Sequence, residues 1–277
     1  MKIIRSVQTV YGYVRAMVWQ FVNDACFTRA AALAYTSLLA VVPLMTVSLA
    51  LLSAFPVFQD GAQKIQNFVF SNFVAGSADI IQQHLQRFME AARHLSPTGL
   101  FFLVVTAVMM IFNMESDFNA IWRVQRRRNG VSAFLIYWAV LTLVPISVGA
   151  GLAVSTNLAA LPIVMEVGEM LRLKSLLFLY LPNLITWASF TILYLTLPNC
   201  PVKVRHALCG GFVAMVLFAW AKFGFSWYLV NFPSYELLYG ALATIPIFLL
   251  WLYLTWIIIL LGAIVSYVIA NGIEMEV

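Results

Sequence analysis

The sequence predicts an all-α, polytopic membrane fold: six transmembrane helices with kinked spans, plus amphipathic helices outside the membrane. Three observations carry this. Hydrophobic residues make up 63% of the 277-residue chain and charged residues 10%, more apolar surface than a soluble domain can hide. Six apolar runs reach spanning length, at about 31–55, 98–121, 132–157, 176–197, 207–230 and 241–270. The arginines and lysines gather in alternate connections between those runs.

Helices are the spanning elements because open strands would leave amides and carbonyls unpaired in lipid, and a ~30 Å apolar core takes about 20 helical residues. Residues 1–277 then form a single membrane domain. Residues 1–30 precede the first span, and Tyr11, Tyr13, Arg15, Trp19 and Phe21 alternate basic, aromatic and apolar positions there. That pattern suits a helix lying along the headgroups, or equally a packed cytoplasmic helix. Lys2, Arg5, Arg15 and Arg29 leave no uncharged stretch ahead of Ala30–Ala34, so the first span is expected to be retained as an anchor. Pro43, Pro145, Pro182 and Pro246 fall inside four of the runs, where each removes an amide donor and invites a kink.

The connection 56–97 reads as a periplasmic amphipathic segment. Ile81, Leu85, Phe88, Met89 and Ala92 recur at helical spacing opposite Gln82, Gln83, Gln86 and Arg93, after a stretch at 62–74 that breaks at Gly76 and Ser77. Its apolar face is either a floor on the membrane helices or a lid over a cavity.

Orientation follows from the bases. Arg123, Arg126, Arg127 and Arg128 mark the second-to-third connection, and Lys203 and Arg205 mark the fourth-to-fifth. On the opposite side Lys64, Arg87, Arg93, Arg172 and Lys174 are balanced by nearby acids. Both termini are therefore expected in the cytoplasm. The net charge of +5 sits at helix ends, where lipid headgroups account for it, so membrane lipids and not nucleic acid are the expected partners.

Chemistry-bearing motifs are sparse. There is no HExxH, GxSxG, GxxxxGK[ST] or GxGxxG, and His84 and His94 stand too far apart for a metal pair on one helix. Cys26, Cys200 and Cys209 read as small apolar residues. No catalytic residue, metal or cofactor is expected.

Polar residues within the spans matter more, because a charge at a helix centre costs ~2.5–3.5 kcal/mol on insertion scales. Asn113, Glu115, Asp117 and Asn119 form a polar stripe at the end of the second span, leading into Arg123. It is either an ion-pair network that locks helix ends or the inner mouth of a substrate path. Lys222 lies ~12 Å along a helix from the outer end of the fifth span, and is open to structural pairing or substrate contact. Ser147, Gly151 and Ser155, and then Gly262, Ser266 and Ala270, recur every fourth position, for bundle packing or for homodimerisation. Trp251, Tyr253 and Trp256 lie near the middle of the sixth span and so are no interfacial belt.

Three motifs together resemble the YihY/virulence factor BrkB family of bacterial inner-membrane proteins, also labelled ribonuclease BN. They are Ala30 to Leu39 with Val42-Pro43-Leu44, then Asn119 to Val124, then Tyr235 and Leu238 to Ala243 with Pro246, Trp251 and Leu261-Gly262-Ala263. The resemblance covers nearly the whole chain and implies six helices in a bacterial inner membrane, with no securely assigned activity. It also implies an acidic residue after Gly262-Ala263, where this chain has Ile264. The ribonuclease label finds no metal-ligand cluster and no basic soluble surface here. The leading expectation is transport or flipping of a lipid-like or amphiphilic envelope component. The alternative is a non-transporting scaffold serving envelope integrity or virulence, with a homo-oligomeric or envelope-protein partner. A membrane-bound ribonuclease comes last.

Overall fold

The computed structural model describes residues 2–53, 97–125, 173–231 and 244–272, which are helical with no strand among them. The helices are α1 (Lys2–Asn23), α2 (Cys26–Ser53), α3 (Pro97–Ile121), α4 (Leu173–Thr196), α5 (Val204–Asn231) and α6 (Thr244–Asn271). Helices α2 to α6 coincide with five of the six apolar runs. The third run, the 56–97 connection, Arg126 to Arg128, and Ser147, Gly151 and Ser155 lie outside the described residues. Among the described residues, two helices, Val204–Asn231 and Ile245–Asn271, are long and apolar enough to cross a membrane.

Helix α6 is the axle, packing against each of the other five. Its sequence is apolar on every side, as a helix surrounded by neighbours requires. Leu260, Ala263 and Ile264 are fully buried, and Trp251 and Trp256 are buried with them. Ile264 is therefore core, at the position where the resemblance implied an acid. Polar side chains on α4 and α6 find partners across the bundle. Tyr194 Oη donates to the Ile259 carbonyl at 2.9 Å, and Trp256 Nε1 to Ser37 Oγ at 2.8 Å. The α4 threonines turn inward on their own helix, Thr186 to the Pro182 carbonyl and Thr191 to that of Trp187.

Close helix approach depends on glycines, Gly210, Gly211 and Gly262 among them. A Cβ at Gly210 would fall on the Gly262 carbonyl and the Ser266 hydroxyl, and one at Gly262 would fall on the Tyr194 ring. Gly262 and Ser266 thus face α5 and α4 inside the bundle. One expected kink has a different setting. Pro246 sits in the first turn of α6, where its amide would have had no helical acceptor, so it costs no interior hydrogen bond.

Candidate functional site

The described polar side chains converge where the α1–α2 elbow meets the end of α3. The elbow is tight because Ala25 adopts a left-handed backbone (φ 51), its amide donating to the Val22 carbonyl at 3.0 Å. Helix α3 ends in a Schellman motif. Arg123 is left-handed (φ 57), the Val124 amide reaches the Asn119 carbonyl at 2.8 Å, and the Arg123 amide reaches that of Ala120 at 3.2 Å. Glycine is the usual residue at that place, because a left-handed L-residue costs ~1–2 kcal/mol. Arginine there swings its guanidinium onto Asp24, with Nη1 to Oδ1 at 2.7 Å.

Asp24 is the hub. Its side chain is 6% exposed, and Gln20, fully buried, donates from Nε2 to its second oxygen at 3.3 Å and to the Ile121 carbonyl at 3.4 Å. Its backbone carbonyl accepts Arg29 Nε at 2.7 Å, and Arg29 Nη1 meets Asp117 Oδ1 at 2.5 Å. Two ion pairs are thus chained together, tying α1, α2 and α3 at one end of the bundle. Separately from these ion pairs, Asn119 links the end of α3 to the α4–α5 connection. It accepts the Asn199 amide on Oδ1 at 2.7 Å and donates from Nδ2 to Glu115, which is buried, at 3.4 Å. Cys26 is buried beside this cluster, and burial, with Asp24 next, pushes its thiol from 9.0 up to about 12.

The predicted residues divide between this cluster and a second layer. Asp117 and Arg123 belong to the ion-pair chain, Glu115 and Asn119 to the separate link with the α4–α5 connection, while Asn113 on the same helix is exposed. Lys222 is half-buried on α5, one turn beyond Phe218 and three residues before Phe225, both buried. It therefore shares their bundle-facing side. Those rings pack on Trp251 of α6, at 5.5 and 5.1 Å between centroids. Using α6 as a ruler, Trp251 is eight residues from Ile259, or ~12 Å of helix. Ile259 marks the level where Tyr194 and Phe118 meet at 6.0 Å, and Trp122 contacts Tyr267 beyond it at 5.6 Å. Lys222 and the ion-pair cluster thus occupy different layers.

Sequence reasoning missed Gln20 and Asp24 as site residues and read Arg29 only as one of the bases ahead of the first span. One signal was available: Asp24 is the only acidic residue before Asp60, set among Lys2, Arg5, Arg15 and Arg29.

The family model for virulence factor BrkB matches residues 17–276. The chain is 49% identical over 92% of its length to a UPF0761 membrane protein of Legionella pneumophila (strain Corby), covering 61% of that protein. It is 46% identical over 90% of its length to one from Azotobacter vinelandii, covering 61%, and 43% identical over 91% to one from Alkalilimnicola ehrlichii, covering 57%. The chain spans about three-fifths of the length of these curated relatives. No solved structure matches it.

Proposed function

The chain belongs to the virulence factor BrkB family of membrane proteins, and from that premise we propose that it moves an amphiphilic envelope component with an anionic headgroup across the bacterial inner membrane. The protein in this reading crosses the membrane six times with both termini in the cytoplasm, and does no covalent chemistry on its cargo. The observation that carries the reading is Lys222, a cation on the packed face of an apolar 28-residue helix, in register with Phe218 and Phe225. An ammonium retained at that depth is costly and marks a substrate path more often than a surface charge does. Its aromatic neighbours supply the apolar wall that an acyl chain or other amphiphile needs.

Reconstitution tests this. Vesicles carrying the protein and a fluorescent phosphatidylglycerol in both leaflets should expose the label to an external quencher faster than protein-free vesicles. Equal rates with and without protein would sink the proposal.

A second reading has its own support in the chained ion pairs. Asp24, Arg29, Asp117 and Arg123 satisfy one another, as in a rigid scaffold that organises envelope partners. A scaffold predicts wild-type behaviour from Lys222→Ala and loss of assembly from changes that unlock α1.

A further inference from the structure

Helix α1 is apolar on two sides. One side, with Ala16 and Phe21 buried and Tyr13 and Met17 packed beside them, rests on the bundle. The other presents Tyr11, Val14, Val18, Trp19 and Val22 outward at helical spacing, with Tyr11 69% and Val22 59% exposed. A helix standing in water beside a bundle would place polar residues there.

Exposed apolar residues continue past the elbow: Phe27, Tyr35 and Leu39 are exposed along α2, a helix that coincides with the first apolar run. Phe27 also packs edge-on at 5.0 Å on Phe21 of the bundle-facing side of α1. Charge points the same way. Helix α1 carries Lys2, Arg5 and Arg15 and no acidic residue, Arg15 is exposed within the stripe, and the acid at the elbow, Asp24, is occupied by Arg123.

We propose that α1 lies in the membrane plane as a docking helix for anionic lipid, its outward stripe sunk into the headgroup zone and Arg15 on the headgroups. Trp and Tyr with basic residues on a helix of this length suit that interface, where such helices settle ~5–10 Å into the headgroup and acyl boundary. The left-handed turn at Ala25 and the Asp24–Arg123 pair set the angle between the in-plane helix and α2. The assignment is independent of any transport by Lys222.

A nitroxide on Val18→Cys tests it, in the full chain with Cys200 and Cys209 replaced by serine and the protein reconstituted in phosphatidylglycerol and phosphatidylethanolamine. Oxygen should relax the label more than a water-soluble nickel chelate does, at a depth of ~5–10 Å. Replacing phosphatidylglycerol by phosphatidylcholine, or Arg15→Gln, should shift the label toward the chelate. The proposal is overturned by free chelate access in the anionic membrane, which would make α1 a cytosolic face. Spin–spin broadening between copies would overturn it too, by making the stripe a dimer contact. A depth unchanged by lipid charge would refute the anionic preference.

Discussion

At the α1–α2–α3 end of the bundle two aspartates and two arginines neutralise one another in a chain, whereas in a separate layer along α6 a lysine shares its helix face with a cluster of aromatic rings. The first region uses charge to hold backbone in place. It fixes a left-handed arginine, a helix elbow and three helix ends, and its members are mutually satisfied. The second keeps charge where packing alone would choose an apolar residue. Under the proposed function the contrast separates two meanings that polar residues in a membrane protein can have, fastening and handling, in different layers of one bundle.

The sharpest way to break the fastening side is Asp24→Ala. It leaves half-exposed Arg123 without its carboxylate and buried Gln20 short of an acceptor inside the packed elbow, which together should cost about 2–3 kcal/mol. A large drop in melting temperature in detergent is expected; an unchanged melt would mean the chained pairs hold nothing. Next comes Gly210→Ala, whose methyl meets the Gly262 backbone and should cost about 1–3 kcal/mol, set against Gly224→Ala, which meets nothing and should be neutral or slightly stabilising. Equal effects at the two sites would refute the close α5–α6 approach. Smaller and opposite in sign, Ala25→Gly should raise stability by about 1 kcal/mol by relieving a left-handed alanine.

The smallest effect concerns Cys26. Its thiol ionises near 9.0 unfolded and about 12 folded, so the folded form holds the proton longer. The contribution to stability is complete below pH 9.0 and is lost as pH rises toward 12. Between neutrality and pH 9.0, Cys26 should resist a maleimide that labels exposed Cys209. Comparable labelling of both would show that the elbow opens.

Much of this layout was legible because spanning length and apolarity are local properties. Five of the apolar runs fall on described helices, and the motifs at Ala30 to Leu39, Asn119 to Val124 and Tyr235 to Ala263 pointed to the right family. The polar stripe Asn113 to Asn119 stood out too, since carboxylates in an apolar run are conspicuous, although Asn113 is exposed in the structure. Its partners did not. Arg29 meets Asp117 across 88 positions and Arg123 meets Asp24 across 99, and no spacing rule reaches that far. Arg123 also closes a helix end, and its left-handed φ becomes visible only with that end in view. The periodic Gly262 and Ser266 left packing and dimerisation open. Gly210 opposite them, on a different helix, shows what they pack against.

The handling side rests on Lys222, and one comparison tests it most directly. Transbilayer movement of fluorescent phosphatidylglycerol should be measured in vesicles carrying wild type, Lys222→Ala or Lys222→Arg, each matched for folded protein by its melt. Losing a headgroup contact of ~1.4 kcal/mol in the Lys222→Ala protein predicts a roughly tenfold slower rate, with Lys222→Arg retaining most of the wild-type rate. A Lys222→Ala protein that folds normally and moves the lipid as fast as wild type would contradict the account.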